Sequence, residues 1–133
     1  MAVQLSVAVR NARLDAIETT IGATAVLKIR SGSVPADCAT ADAGTVLATL
    51  TLPSDWMAAA SSGSKAKSGT WQDTSADATG TAAHFRVYDS GGTVCGLQGT
   101  VGVGSGDLQV DSTSFTSGQS FSITGFTITD GNA

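Results

Sequence analysis

The sequence predicts a mainly β fold, an antiparallel β-sandwich (jelly roll) of about seven or eight short strands, preceded by one helical segment. Two observations carry this prediction. Up to Ile21 the larger apolar side chains recur at alternating steps of four and three, whereas after Gly22 they recur every second residue. Turn-forming runs rich in Gly, Ser and Asp then separate the alternating segments at short intervals.

The helical stripe is Val3, Val7, Arg10, Leu14, Ile17 and Ile21. Ser6 is a candidate N-cap, and Gly22 suits the left-handed residue that closes a helix. A narrow stripe with a charge in its middle fits a helix laid on a surface better than one sunk in a core. Arg10 is read two ways, as a snorkelling side chain or as half of an ion pair with a partner's carboxylate. The expected organisation is a helical attachment segment over residues 1–22 and a β-sandwich domain over residues 23–133.

The strand pattern opens with "TAVLKIR", where Ala25, Leu27 and Ile29 share a face opposite Lys28 and Arg30. "TVLATLTL" places Val46, Ala48, Leu50 and Leu52 inward. In "AAHFRVYD", Ala83, Phe85 and Val87 alternate with His84, Arg86 and Tyr88, which are expected on the solvent side. "DSGG" at residues 89–92 is the turn into "TVCGLQGTV". "DLQVDSTSF" and "QSFSITGFTITD" complete the set, and in the last the apolar phase slips at Gly125, as at a bulge. The connection from Ser54 to Trp71 holds both tryptophans of the chain among small residues. Two such large rings in so bland a loop act as pins against the sandwich, or else one is exposed to a partner. Lys65 and Lys67, two apart, are expected on one solvated face.

Composition narrows the function classes. Ala, Thr, Ser and Gly make up about half of the 133 residues, 14% are charged and 5% aromatic. All the basic side chains precede Asp89, so the last third carries the net charge of −4. A net-negative chain with no cation in its final third is a poor match for a phosphate backbone, and no direct nucleic-acid partner is expected. No apolar run is long enough to cross a bilayer as a helix, so no membrane contact is expected either. Cys38, Cys95 and the lone His84 do not make a zinc set, and the spaced carboxylates of Asp73–Gly80 lack the ligand order of a calcium loop. Nothing resembling a signal peptide is read, so a reducing compartment and free thiols are expected. The alternative, a Cys38–Cys95 disulfide, would stabilise by ~4 kcal/mol in the chain-entropy model.

Catalysis finds no support in spacing. His84, Arg86 and Tyr88 share a strand face, but no nucleophile and base complete them. "GTVGVGSGD" (residues 99–107) lacks the lysine and the following helix of a phosphate loop. No catalytic residue, metal ligand or cofactor is assigned, and the chain is expected not to be an enzyme.

Three long stretches, "MAVQLSVAVRNARLDAIETTIGATAVLKIRSG", "LATLTLPSDWMAAASSGSKAKSGTWQDTSADATGTAAHFRVY" and "SITGFTITDGNA", resemble a family of small virion proteins of tailed bacteriophages. The resemblance covers nearly the whole chain. It implies a jelly-roll cement (decoration) protein on the outer surface of the phage head, made in the host cytoplasm, with the major capsid protein as partner. Self-association as a dimer fits the same picture. The residues then expected to meet a partner are Val3, Val7, Arg10, Leu14, Ile17, Trp56 and Trp71. A tail or baseplate component is the nearest alternative, and a carbohydrate-binding module using the tryptophans is a second.

Overall fold

The structure is a computed structural model and describes residues 3–131. It is mainly β, with one N-terminal helix and a strongly curled mixed sheet. Helix α1 spans Val7–Ile21, and the Ser6 hydroxyl accepts from the Val9 N–H at 3.2 Å, satisfying a donor that the first turn leaves orphaned. At the other end Gly22 has φ of 100° and its N–H reaches Glu18 O, so glycine is needed for the chain to leave.

The strands are β1 (Val26–Arg30), β2 (Val46–Thr51), β3 (Ser64–Ala66), β4 (Gln72–Asp73), β5 (Gly80–Thr81), β6 (His84–Tyr88), β7 (Cys95–Gly102), β8 (Leu108–Val110), β9 (Ser114–Phe115) and β10 (Phe121–Thr129). The large sheet runs β2-β1-β6-β7-β8-β10-β3, with β4 also paired to β10, while β5 and β9 form a separate ribbon. Every ladder is antiparallel except β7 with β8. Parallel neighbours normally need a long crossover. Here residues 103–107 suffice because Gly104 and Gly106 take positive φ, and the Asp107 N–H returns to Thr100 O. The glycine-rich turn of the sequence is therefore a tight loop that brings β8 alongside β7 in the same direction.

One face of the sheet encloses the core. Ala25, Leu27 and Ile29 are fully buried, as the alternation predicts, together with Phe85 and Val87. A chain of rings runs from Trp56 to Trp71 (centroids 6.1 Å apart), on to Phe126 (5.8 Å) and edge-to-face onto Phe85 (5.5 Å). Both tryptophans are thus pins: residues 56–68 form a hairpin on the β10 side of the sheet, and their rings nail it to the core. The Trp56 Nε1–H also donates to Gly22 O at 3.0 Å, closing the end of α1.

Two expectations fail for a shared reason. In β2 the register shifts between Ile29 and Arg30, so Val46 faces Arg30 and Ala48 faces Ile29, leaving Leu47 as the extra residue. Leu47 and Ala48 are both buried and Val46 only half so, because Leu47 points to the side covered by the chain around Asp77 and Gly80. In β6 all five residues are buried. The face of His84, Arg86 and Tyr88 is covered by the connection between β1 and β2, residues 31–45, which lies across it as a strap.

Candidate contact surface

The helix determines which surface is open. Its stripe divides along its length: Val3 and Val7 are exposed, Arg10, Ile17 and Ile21 are partly covered, and Leu14 is buried. The adjacent face carries Asn11, Asp15 and Glu18, spaced so that all three look the same way. Their side chains accept from the backbone N–H groups of Gly63 (2.9 Å), Ala60 (2.9 Å) and Met57 (3.2 Å). The helix therefore stands in for a further strand, satisfying the outer edge of the 57–67 hairpin. Between them lies Lys65, whose Nζ reaches Asp15 at 2.7 Å, Glu18 at 3.1 Å and Ala58 O at 2.9 Å.

Lys65 was expected in solvent and is buried instead; only Lys67 of the pair remains near the surface, over the Trp71 ring. Burial alone would make the Lys65 ammonium easier to neutralise, but its hydrogen bonds to Asp15 and Glu18 outweigh that and raise its pKa. The Lys65 hydrogen bond and the Ala60 N–H in turn hold Asp15 below the usual carboxylate range.

Arg10 is neither snorkelling nor free for a partner's carboxylate. Its guanidinium packs against Gly63 and reaches Asp130 O at 3.4 Å, while Arg13 pairs with the Asp130 carboxylate at 3.2 Å. The segment expected to serve attachment is thus anchored to the sheet along most of its length. Residues 1 and 2 of that segment lie outside the described residues, as do 132 and 133 of the expected β domain.

What stays open is the side of α1 facing β7. A groove of about 460 Å³ is lined by Arg13, Ala16, Ile17, Thr20 and Ile21 of the helix and by Asp89, Val94, Cys95 and Gly96 opposite. Gly96 makes it possible, because a Cβ there would collide with the Ile21 side chain. Val94, 63% exposed, stands at one wall, and one turn before Arg13 the exposed Val9 continues the same helix face. Sequence periodicity finds Ile17 and Ile21 here but misses Val94 and Gly96, which belong to a turn and a bulge where no period holds. Trp56 and Trp71 are 0% and 1% exposed, so neither ring offers a face to a sugar or a protein.

The strap encloses a second constellation. Asp42 accepts from the Tyr88 hydroxyl (2.6 Å) and from Arg86 (2.8 Å), and pairs with Arg30 (3.1 Å). Arg86 also donates to Asp37 O and Thr40 O, Gln98 donates to Pro35 O, and His84 Nδ1 meets Gly32 O at 2.7 Å. The Tyr88 hydrogen bond, followed by that of Arg86 and the charge of Arg30, holds Asp42 below the usual range, whereas burial pushes the Tyr88 phenol up. Arg86 is 2% exposed, so the cluster grips the strap rather than meeting a substrate. Cross-strand neighbours Arg30 and His84 each keep one buried nitrogen, Nε and Nε2, without a hydrogen-bond partner. Among the described residues no group of three or more His, Cys, Asp or Glu could hold a metal ion, and no helix is long and apolar enough to cross a membrane. No protein-family model, curated protein or solved structure matches the chain.

Proposed function

We propose that this chain is a non-enzymatic structural protein of a virion, a cement (decoration) protein seated on the outside of a bacteriophage head, where it ties together neighbouring subunits of the major capsid protein. The observation that carries this reading is the apolar groove between α1 and β7, continued along the helix by exposed Val9. Such a surface is shaped to receive or to cover another protein, and the remainder of the fold holds it rigid. A subunit repeated over a shell needs only a modest contact at each site, because many contacts act together. On this reading the curled sheet is a jelly-roll body whose one parallel pair is a local consequence of the tight loop before β8. Pairing into dimers belongs to the same proposal.

The test is co-sedimentation with phage heads stripped of their cement protein, using the parent chain, Val9→Asp and Val94→Asp. Both sites are exposed, so their melting temperatures should stay within a degree or two of the parent. Binding should fall at least about tenfold for each variant, the loss of about 1.4 kcal/mol that one desolvated charge easily exceeds. Undiminished binding by both variants overturns the groove as the contact. Binding to tails and not to heads transfers the chain to the tail or baseplate class.

A further inference from the structure

Cys38 and Cys95 come from distant parts of the chain and end side by side. Cys38 sits in the middle of the strap, whose flanking residues are fixed by Gln98 to Pro35 O at 2.7 Å and by Arg86 to Asp37 O at 3.0 Å and Thr40 O at 2.9 Å. Cys95 opens β7, opposite Tyr88 in the ladder with β6. Both thiols are half-buried and not bonded to each other; Cys95 Sγ donates to Leu97 O at 3.5 Å, and Cys38 lies near enough to act on the Cys95 thiol.

We propose that Cys38 and Cys95 are a cross-linking site, which a low-molecular-weight disulfide such as oxidised glutathione converts into an intramolecular disulfide clamping the strap to β7. The reaction balances in two exchanges. The Cys38 thiolate attacks one sulfur of oxidised glutathione, whose S–S bond breaks, and one glutathione thiolate leaves and takes up a proton. Cys95 then loses its proton and attacks the Cys38 sulfur, the protein S–S bond forms, and the second glutathione leaves as thiol. Two protein thiols are oxidised by two electrons and one glutathione disulfide is reduced to two thiols. Burial, reinforced by the neighbouring Cys38, pushes the Cys95 thiol up to about 12, so its deprotonation makes ring closure the slow step. The strap is therefore held by hydrogen bonds and ion pairs alone in a reducing compartment and is cross-linked slowly after transfer to an oxidising one.

The experiment incubates the reduced full-length chain with excess oxidised glutathione and follows intact mass, backbone amide exchange and melting. The expected product has lost two hydrogens and carries no glutathione. Cys95→Ser should stop at one glutathione adduct on Cys38, and Cys38→Ser should remain unmodified. In the oxidised parent, amide exchange across residues 31–45 should slow by about tenfold or more and the melting temperature should rise by about 5–10 °C. A lasting glutathione adduct on the parent, a disulfide-linked dimer, no reaction, or ring closure with unchanged exchange in the strap would each overturn the proposal.

Discussion

Lys65 Nζ stands 2.7 Å from Asp15 Oδ1, a contact at the centre of those that join the helix to the edge of the sheet. Its side chain is 3% exposed, while that of Asp15 is 47% exposed and that of Glu18 16%. The cation is inside and its partners lead outward to water. Such a pair holds position more than it adds stability, but breaking it from one side leaves two carboxylates facing each other beside unscreened backbone.

Lys65→Met should therefore destabilise the fold by about 1–3 kcal/mol, at the lower end of buried-pair losses because Asp15 retains solvent. A denaturant melt at neutral pH measures it. The sign with pH follows from the raised Lys65 pKa. Stability from this group is complete below the unfolded value of 10.5 and disappears as pH rises through the higher folded value. The parent should lose stability across that alkaline window, and Lys65→Met should lose less.

Removing residues 2–20 should leave no cooperatively folded β domain. The sequence alone suggests the opposite, because the β pattern looks sufficient for a core. In the structure the truncation would strip acceptors from the N–H groups of Met57, Ala60 and Gly63, uncover Lys65, and remove Leu14. Each lost hydrogen bond costs about 0.5–1.5 kcal/mol net and the lost burial of Leu14 about 1.5–3 kcal/mol, and the total is comparable with the stability of a small domain. Loss of the sigmoidal thermal transition is the expected result. A truncated chain melting near the parent temperature would mean that the helix only decorates the sheet.

The glycines separate into tolerant and demanding positions. The phase slip read at Gly125 is present as a register shift between Ile123 and Gly125 against β8. Yet Gly125 itself lies outside the left-handed region, and an added Cβ would meet only the end of the Gln109 side chain at 3.4 Å. Gly125→Ala should cost less than about 1 kcal/mol. Gly44 has φ of 75°, and a Cβ there would run into the carbonyl of Ser31, the residue whose N–H and hydroxyl bond Thr45 and close the strap. Gly44→Ala should cost at least about 2 kcal/mol more, measured by paired chemical melts.

These outcomes show which parts of the fold are readable from sequence. Alternation works where one side of a strand meets the core and the other meets water, which is why Ala25, Leu27 and Ile29 are inward as expected. It fails at Leu47, His84, Arg86 and Tyr88, because distant loops cover the outer side and period-two patterning carries no trace of a distant cover. The polar spacing of Asn11, Asp15 and Glu18 was visible in the sequence, but their partners are backbone N–H groups, which leave no mark in side-chain identity. The groove shares this limit. Ile17 and Ile21 belong to the helical stripe, but the far wall depends on a turn valine and a bulge glycine brought beside them by the sheet.

Asp42 gives the sharpest test of the strap. Its carboxylate is the shared acceptor for Tyr88, Arg86 and Arg30, and the two guanidiniums are nearly inaccessible. Replacing it with Asn preserves the shape and removes the charge, so two buried cations face each other without compensation. The expected loss is about 2–3 kcal/mol, reduced from the full buried-pair figure because the Asp42 side chain is itself 43% exposed. The pH dependence follows from its lowered pKa, caused first by the Tyr88 hydroxyl. Stability from Asp42 is complete above the unfolded value of 3.8 and is lost as pH falls through the lower folded value. The parent melting temperature should therefore drop as the pH is lowered below about 4, and Asp42→Asn, already neutral, should show a shallower slope there. Tyr88→Phe should fall between them, since it removes the first cause of the shift and leaves the arginines paired. Equal acid slopes for the parent and Asp42→Asn would mean that the strap is held by its backbone contacts to Arg86, Gln98 and His84, with the Asp42 charge contributing nothing to folding.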